Sequence, residues 1–251
     1  MNTTLMALVV FGCLVGAVLL GRIFRRILPE DHLTSDSRDT VKLAMGLVAT
    51  MSALVLGLLV SSAKGSYDTE RSEVIQMAAK VAFLNRILTA YGPEAAVARA
   101  QLREVVEQSV GHVWHGEMRT PGKTAPSTSA GDLAYIVVQQ LSGDNDMQRT
   151  LKAQAVSQLT DLGQLRQLLI AQSVPSISTP MLVILVSWLV IIFFGFTVVA
   201  PPNATTALAL VVSAFAVSGA IFLILELDQP FGGVIHISSE PMLNALQQFA
   251  H

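Results

Sequence analysis

Two carboxylates near the end of the chain form its most pointed local signal. They stand in Glu226-Leu227-Asp228-Gln229-Pro230-Phe231-Gly232-Gly233, directly after an uncharged apolar run from Ala204 to Leu225. If that run is a helix, both acids sit at its C-terminal end. Unpaired carbonyls already place about half a negative charge there, and an acid is disfavoured by roughly 0.3–1 kcal/mol. The placement asks for a compensating cause. One is a cation partner such as Lys64 or Arg71. Another is a ring of carboxylates, Glu226 and Asp228 from each of several subunits, around a pore mouth that concentrates cations. A third is an exposed helix end screened by solvent.

The remaining chemistry-bearing residues are sparse. His112 and His115, with Glu117 nearby, share one helix face at a spacing that suits a metal. Two histidines without a firm third ligand read as solvated side chains, and no metal site is assigned. Ala63-Lys64-Gly65-Ser66 has the lysine and serine of a phosphate loop. It lacks the glycine five residues before the lysine, and a helical setting keeps its amides from cradling phosphate. Lys64 reads instead as an interfacial anchor that extends its ammonium to water. Cys13, the single cysteine, excludes an internal disulfide framework and a cysteine-based metal centre. No nucleophile–base pair is readable from spacing, so no catalytic residue and no cofactor is assigned. The formal net charge of -2 offers no basic field for nucleic acid.

The elements that must position these residues are membrane helices. Of 251 residues, 52% are hydrophobic and only 14% charged, against about 25% charged in an ordinary soluble domain. The apolar residues gather in four stretches: Leu5 to Leu20, continuing to Phe24; Val41 to Ala63; Met181 to Ala200; and Ala204 to Leu225. A helix needs roughly 20 apolar residues to cross the bilayer core, where no water satisfies its backbone. The first stretch is shorter, but its arginines (Arg22, Arg25, Arg26) follow the apolar run instead of preceding it, which favours a retained span over a signal peptide. Pro201-Pro202-Asn203 separates the last two stretches. Proline ends one helix and Asn203 is suited to cap the next, forcing an antiparallel hairpin. The lipid bilayer is therefore the first partner.

The expected fold is an all-α membrane protein with four transmembrane helices and a helical extramembrane domain inserted between the second and third. The corresponding parts are residues 1–63 (spans 1 and 2), 64–179 (the extramembrane domain, the second helix continuing to about 91), 180–226 (spans 3 and 4) and 227–251 (a tail with a short amphipathic helix). Basic residues mark the cytoplasmic side of spans. Arg22, Arg25, Arg26, Arg38 and Lys42 outnumber Lys64, Arg71 and Arg166 by five to three, which favours a periplasmic 64–179 domain.

Within the extramembrane part, only Gly65 interrupts the pattern before Tyr91, and one glycine does not end a helix. Tyr67, Val74, Val81 and Leu88 recur every seven residues, with Met77, Leu84 and Tyr91 at the second heptad position. One long helix from about Thr40 to Tyr91 follows. Its seam serves either intramolecular packing or self-association. Gly92-Pro93 ends it and starts a helix to Trp114. His115–Gly131 reads as a mobile loop. Helices are expected over Asp132–Leu141 and Asp146–Gln172. Ser239-Glu240-Pro241 opens an amphipathic helix with Met242, Leu246 and Phe249 on one side, suited to the membrane interface.

Small side chains recur every four residues along the second span, at Ala49, Ala53, Gly57 and Ser61; Gly12 and Gly16 repeat the pattern in the first. Small residues let membrane helices approach closely. The stripe either packs helices, within or between subunits, or lines a narrow path.

Several segments together resemble the bestrophin-like family of bacterial membrane proteins. They are Leu58-Leu59-Val60-Ser61-Ser62-Ala63-Lys64-Gly65-Ser66-Tyr67-Asp68, Trp188 and Phe193 to Phe196, Pro201-Pro202-Asn203, Phe222 through Gly233, and Ile237-Ser238-Ser239. Bestrophins proper are pentameric channels, mostly for anions. Their second helix lines the pore, and a helical region follows it on the cytoplasmic side. The resemblance thus implies a homo-oligomeric ring, a pentamer, with Ala49, Ala53, Gly57 and Ser61 facing the pore or its packing. It also implies a cytoplasmic 64–179 domain, opposite to the basic-residue count. The aromatic-rich constriction of bestrophin second helices is absent here. The acids at 226 and 228 favour cations over anions.

Two functions fit. One is a homo-oligomeric ion channel built around the second span, with an inorganic ion as permeant partner. The other is a non-conducting scaffold or sensor whose helical domain binds a partner. No charged residue lies inside the crossings, and intramembrane charges usually mark coupled transport, which argues against a transporter.

Overall fold

The structure is a computed structural model. It describes residues 3–27, 35–114, 128–172, 177–201 and 203–249. Its helices are α1 (Thr3–Ile27), α2 (Ser35–Tyr91), α3 (Ala96–Trp114), α4 (Thr128–Gln139), α5 (Asp146–Gln172), α6 (Thr179–Val199), α7 (Ala204–Leu227) and α8 (Glu240–Gln247), with a 3-10 turn over Pro93–Ala95. No strand occurs among the described residues. Four helices, α1, α2, α6 and α7, are long and apolar enough to cross a membrane. The chain divides into two compact units: Met1–Ser66 with Pro175–Gln229, and Tyr67–Val174 with Pro230–His251.

In the first unit α1 packs against both α6 and α7. Leu14, Ala17, Val18 and Gly21 form its buried face. A β-carbon added at Gly21 would lie 2.9 Å from the Thr197 Cβ and 3.0 Å from the Phe194 carbonyl oxygen. Glycine at 21 therefore sets how closely α1 approaches α6. At Gly195 of α6, a β-carbon would overlap the thioether of Met45 on α2. Gly12 and Gly16 have nothing within 4 Å of an added β-carbon, so the close contacts within the chain use Gly21 and Gly195 instead. Thr3 meets Glu226, Phe11 stacks edge-on against Phe215, and Arg22, Arg25 and Arg26 share a cavity with Thr206 and Ala207. Those pairings make α1 and α7 antiparallel.

α2 begins at Ser35, ahead of the expected Thr40. Asp36 supplies a favourable first-turn acid, and the Thr40 hydroxyl donates back to the Asp36 carbonyl at 2.9 Å. The helix runs on through Gly65 to Tyr91. Gly92 then adopts φ 119°, a conformation open to glycine and strained for other residues, and Pro93 opens the next turn. α4 starts at Thr128, earlier than Asp132. α5 matches its expected bounds. Residues 115–127, most of the segment read as a mobile loop, lie outside the described residues.

The second unit has its own core. Val74, Val81, Leu84, Leu88 and Tyr91 are buried in it, with Tyr67 and Met77 packed against them. The heptad seam is therefore consumed by packing inside the chain and is not open for self-association. α8 also differs from expectation. Met242 and Ala245 are buried in the same core, and Leu246 and Phe249 pack against it. Its apolar side has a protein partner and does not lie on lipid. Polar contacts fix this docking: Asn85 Nδ2 donates to the Gln248 carbonyl at 2.9 Å, and Trp114 Nε1 to the Ile237 carbonyl at 2.7 Å. Arg99 Nε donates to Asn85 Oδ1 at 3.0 Å, so both ends of the buried Asn85 amide are used. Lys80 Nζ meets Asp161 Oδ2 at 2.5 Å and ties α2 to α5.

Candidate functional site

The membrane-spanning half of α2 is the least covered span in the chain. Of its most apolar stretch 11% is buried, against 44% for α6. Its inner face is narrow: Ser52, Leu59 and Ala63 are buried, with Met45, Val48 and Leu56 beside them. Ser52 returns its hydroxyl proton to the Val48 carbonyl at 2.8 Å, which satisfies a buried polar group within the helix. Val41, Ala49, Val55 and Val60 are half-buried at its margins, and the rest of the stretch is exposed.

That outward surface has two edges of different character. Leu43, Leu47, Met51, Leu54 and Leu58 are exposed along one. Gly46, Thr50, Ala53, Gly57 and Ser61 are exposed along the other. At 3.6 residues per turn the two sets are centred about 80° apart around the helix axis. Small residues thus form one strip and large apolar residues a neighbouring strip. Ala49 is half-buried at the margin of the small strip. An added β-carbon at Gly46, Gly57 or Gly65 would meet nothing within 4 Å. Ala53, Gly57 and Ser61 accordingly do not mediate packing inside the chain; that use of the stripe is removed. Thr50 donates to the Leu47 carbonyl at 2.8 Å, leaving oxygen lone pairs on the same edge. Lys64 is exposed just beyond Ser61.

Glu226 lies elsewhere. Its side chain is 1% exposed and accepts a hydrogen bond from the hydroxyl of Thr3. The pore-mouth position expected for it does not fit this burial. The acid at the unfavourable end of α7 faces the N-terminal end of antiparallel α1, where the helix dipole is positive and favours an anion. Sequence spacing could not pair residues 3 and 226. Asp228 caps α7 and is half-buried.

No group of three or more histidine, cysteine, aspartate or glutamate side chains is placed to hold a metal among the described residues. His115 and Glu117 lie outside the described residues. Cys13 is exposed on the protomer.

One feature escapes the sequence pattern. Arg22, Arg25 and Arg26 at the end of α1, with Thr197 of α6 and Thr206 of α7, line a cavity of ≈ 500 Å³. In the sequence these arginines serve only as markers of membrane orientation. Their i, i+3, i+4 spacing, which gathers three guanidinium groups on one helix face, is the signal that points to a shared site.

Four apolar helices around a tight α1–α6–α7 packing, with an inserted helical unit, define a multi-pass α-helical membrane protein. The sequence profile of the Bestrophin-like domain matches residues 11–242, nearly the whole chain, and the protein belongs to that family. The same fold is found in solved structures of a bacterial bestrophin homologue from Klebsiella pneumoniae. A form with an isoleucine-to-threonine mutation matches at TM-score 0.68 and 16% identity, covering 100% of both chains. A tryptophan-to-alanine form matches at TM-score 0.69 and 17% identity, covering 100% of this chain and 99% of that one. A further structure of the same homologue, phased on zinc, matches at TM-score 0.64 and 17% identity, with 99% and 97% coverage. No curated protein matches the chain.

Proposed function

We propose that the protein is a homo-oligomeric ion channel of the bacterial inner membrane, a ring whose pore is lined by the small edge of α2. The observation that carries this reading is the two-edged exposed face of α2. In a ring, an inner helix needs a small or polar edge toward the axis and an apolar edge toward its neighbour. Gly46, Thr50, Ala53, Gly57 and Ser61 supply the first, and the leucine strip supplies the second. Membrane helices associate through such close-fitting surfaces. Family membership supports a pentamer.

Ion preference rests on fewer groups than the two expected carboxylates. Glu226 is enclosed, so Asp228 is the acid proposed to favour cations near one mouth. A scaffold would need a free surface on the helical domain, and the heptad seam does not offer one, since that domain's own core occupies it.

The test is conductance of purified protein in planar bilayers, with subunit count from native mass spectrometry. Gly57→Leu adds a large side chain into open space in the protomer, so folding and assembly are expected to persist. Current is expected to fall at least about tenfold, since a pore narrow enough to be lined by glycine is closed by leucine. A monomeric particle, or full current through an assembled Gly57→Leu ring, would falsify this reading.

A further inference from the structure

We propose that the cavity at the end of α1 is a binding site for a phosphoryl oxyanion, carried by an anionic phospholipid headgroup or by a soluble phosphate compound. Its volume of ≈ 500 Å³ falls within the range of about 300–1,000 Å³ typical of small-molecule sites. Arg22, Arg25 and Arg26 contribute three permanent positive charges, and none of the described lining residues is acidic. Three guanidinium groups brought together repel one another, so the arrangement calls for an anion between them. Nη1 of Arg25 is buried and has no hydrogen-bond partner among the described residues. A buried donor on a charged group left in that state is costly.

Two further features fit an oxyanion. The cavity reaches Thr206 and Ala207 in the first turns of α7. The Asn203 side chain makes no capping bond there, and the Ala207 amide is bonded to the Asn203 carbonyl at 3.2 Å. Helix N-termini and arginine forks are the two common protein ligands for phosphate, and the fork binds bidentately. Thr197 also lines the cavity, but its hydroxyl proton is given to the Phe193 carbonyl at 2.7 Å. The donors that line the cavity are therefore the guanidinium groups and the Thr206 hydroxyl. Exposed Ile23, Phe24 and Leu208 adjoin the same helix ends. Apolar surface beside a basic cavity suits acyl chains below a headgroup. Arginine at α1's last turn also complements the dipole of its own helix, but that role needs neither a cavity nor a buried nitrogen.

The site does not depend on conduction, so binding is read directly. Full-length protein in neutral detergent is titrated separately with phosphatidylglycerol and with sodium pyrophosphate, followed by thermal shift and by native mass spectrometry. Phosphatidylglycerol is expected to bind, and Arg25→Gln to weaken it by about tenfold or more, the effect of losing one charge-assisted contact. Arg25→Lys, which keeps the charge and loses the fork, is expected to lose less. Arg22→Gln and Arg26→Gln, at exposed positions that folding tolerates, are expected to weaken binding as well. Lys42→Gln removes an exposed charge outside the cavity and is expected to have no effect. Binding of pyrophosphate with the same arginine dependence assigns the site to soluble phosphates; binding of phosphatidylglycerol alone assigns it to lipid. Failure of both probes, or equal losses from Lys42→Gln and the three arginine variants, overturns the proposal.

Discussion

The pairing of Thr3 with Glu226 separates two roles for the acid by direct measurement. Thr3→Val keeps the shape of the side chain and deletes the hydroxyl that Glu226 accepts from. Glu226 is fully enclosed, so water does not replace the lost donor. Hydrogen bonds to charged acceptors contribute about 1.5–3 kcal/mol in proteins generally. Side-chain bonds between membrane helices average nearer 0.6 kcal/mol, with a maximum near 1.7. A loss of about 1–2 kcal/mol is therefore expected. For a chain of this size 1 kcal/mol corresponds to roughly 2–4 °C in Tm, so melting of the detergent-solubilised protein should fall by about 2–8 °C. Protein concentration must be held fixed, because the proposed ring assembly would shift apparent stability by mass action. Glu226→Leu should be at least as damaging alone, and the double variant should fall well short of the sum. That coupling is the signature of direct contact. The same variants should leave the reversal potential in a salt gradient unchanged. A Glu226→Gln protein with native melting and altered ion preference would return the acid to the pore mouth and refute the buried-clamp reasoning.

Two other perturbations follow from the packing. Gly195→Leu forces the Met45 thioether from its place and should destabilise the protein by about 1–3 kcal/mol; Met45→Ala in the same chain should recover part of the loss, whereas Gly12→Ala, with open space around it, should be neutral by the same thermal assay. Burial raises the Tyr91 phenol above its ordinary value of 10.0, with the carboxylates of Asp144 and Glu94 adding to the shift, while its hydroxyl donates to the Ser142 carbonyl. Because the folded state holds the proton more tightly, the stabilisation is complete below pH 10 and fades as pH rises through the folded value; absorbance titration should show late ionisation, and Tyr91→Phe should remove this alkaline sensitivity.

Much of the architecture was legible because membrane insertion imposes a one-dimensional rule: an uncharged run of sufficient length is a helix that spans. The four spans, the continuation of α2 to Tyr91 and the inserted helical unit all follow from run length, glycine and proline placement, and periodicity. The heptad positions were readable as a buried seam, but periodicity carries no information on whether the covering partner is the same chain or another. The α3 and α8 helices supplied much of that cover. Likewise the amphipathic face around Met242 signalled burial without saying whether lipid or protein buries it.

Composition and spacing by themselves determined that this is a four-span helical protein with a small-residue stripe and misplaced acids. Tertiary structure decided which way each feature faces. It turned Ala53, Gly57 and Ser61 outward, enclosed Glu226 beside Thr3, and gathered three arginines around a cavity. The reason is that facing depends on contacts between residues as far apart as 3 and 226, and helical periodicity is a local property that fixes a residue's angle about its own axis, not its neighbours.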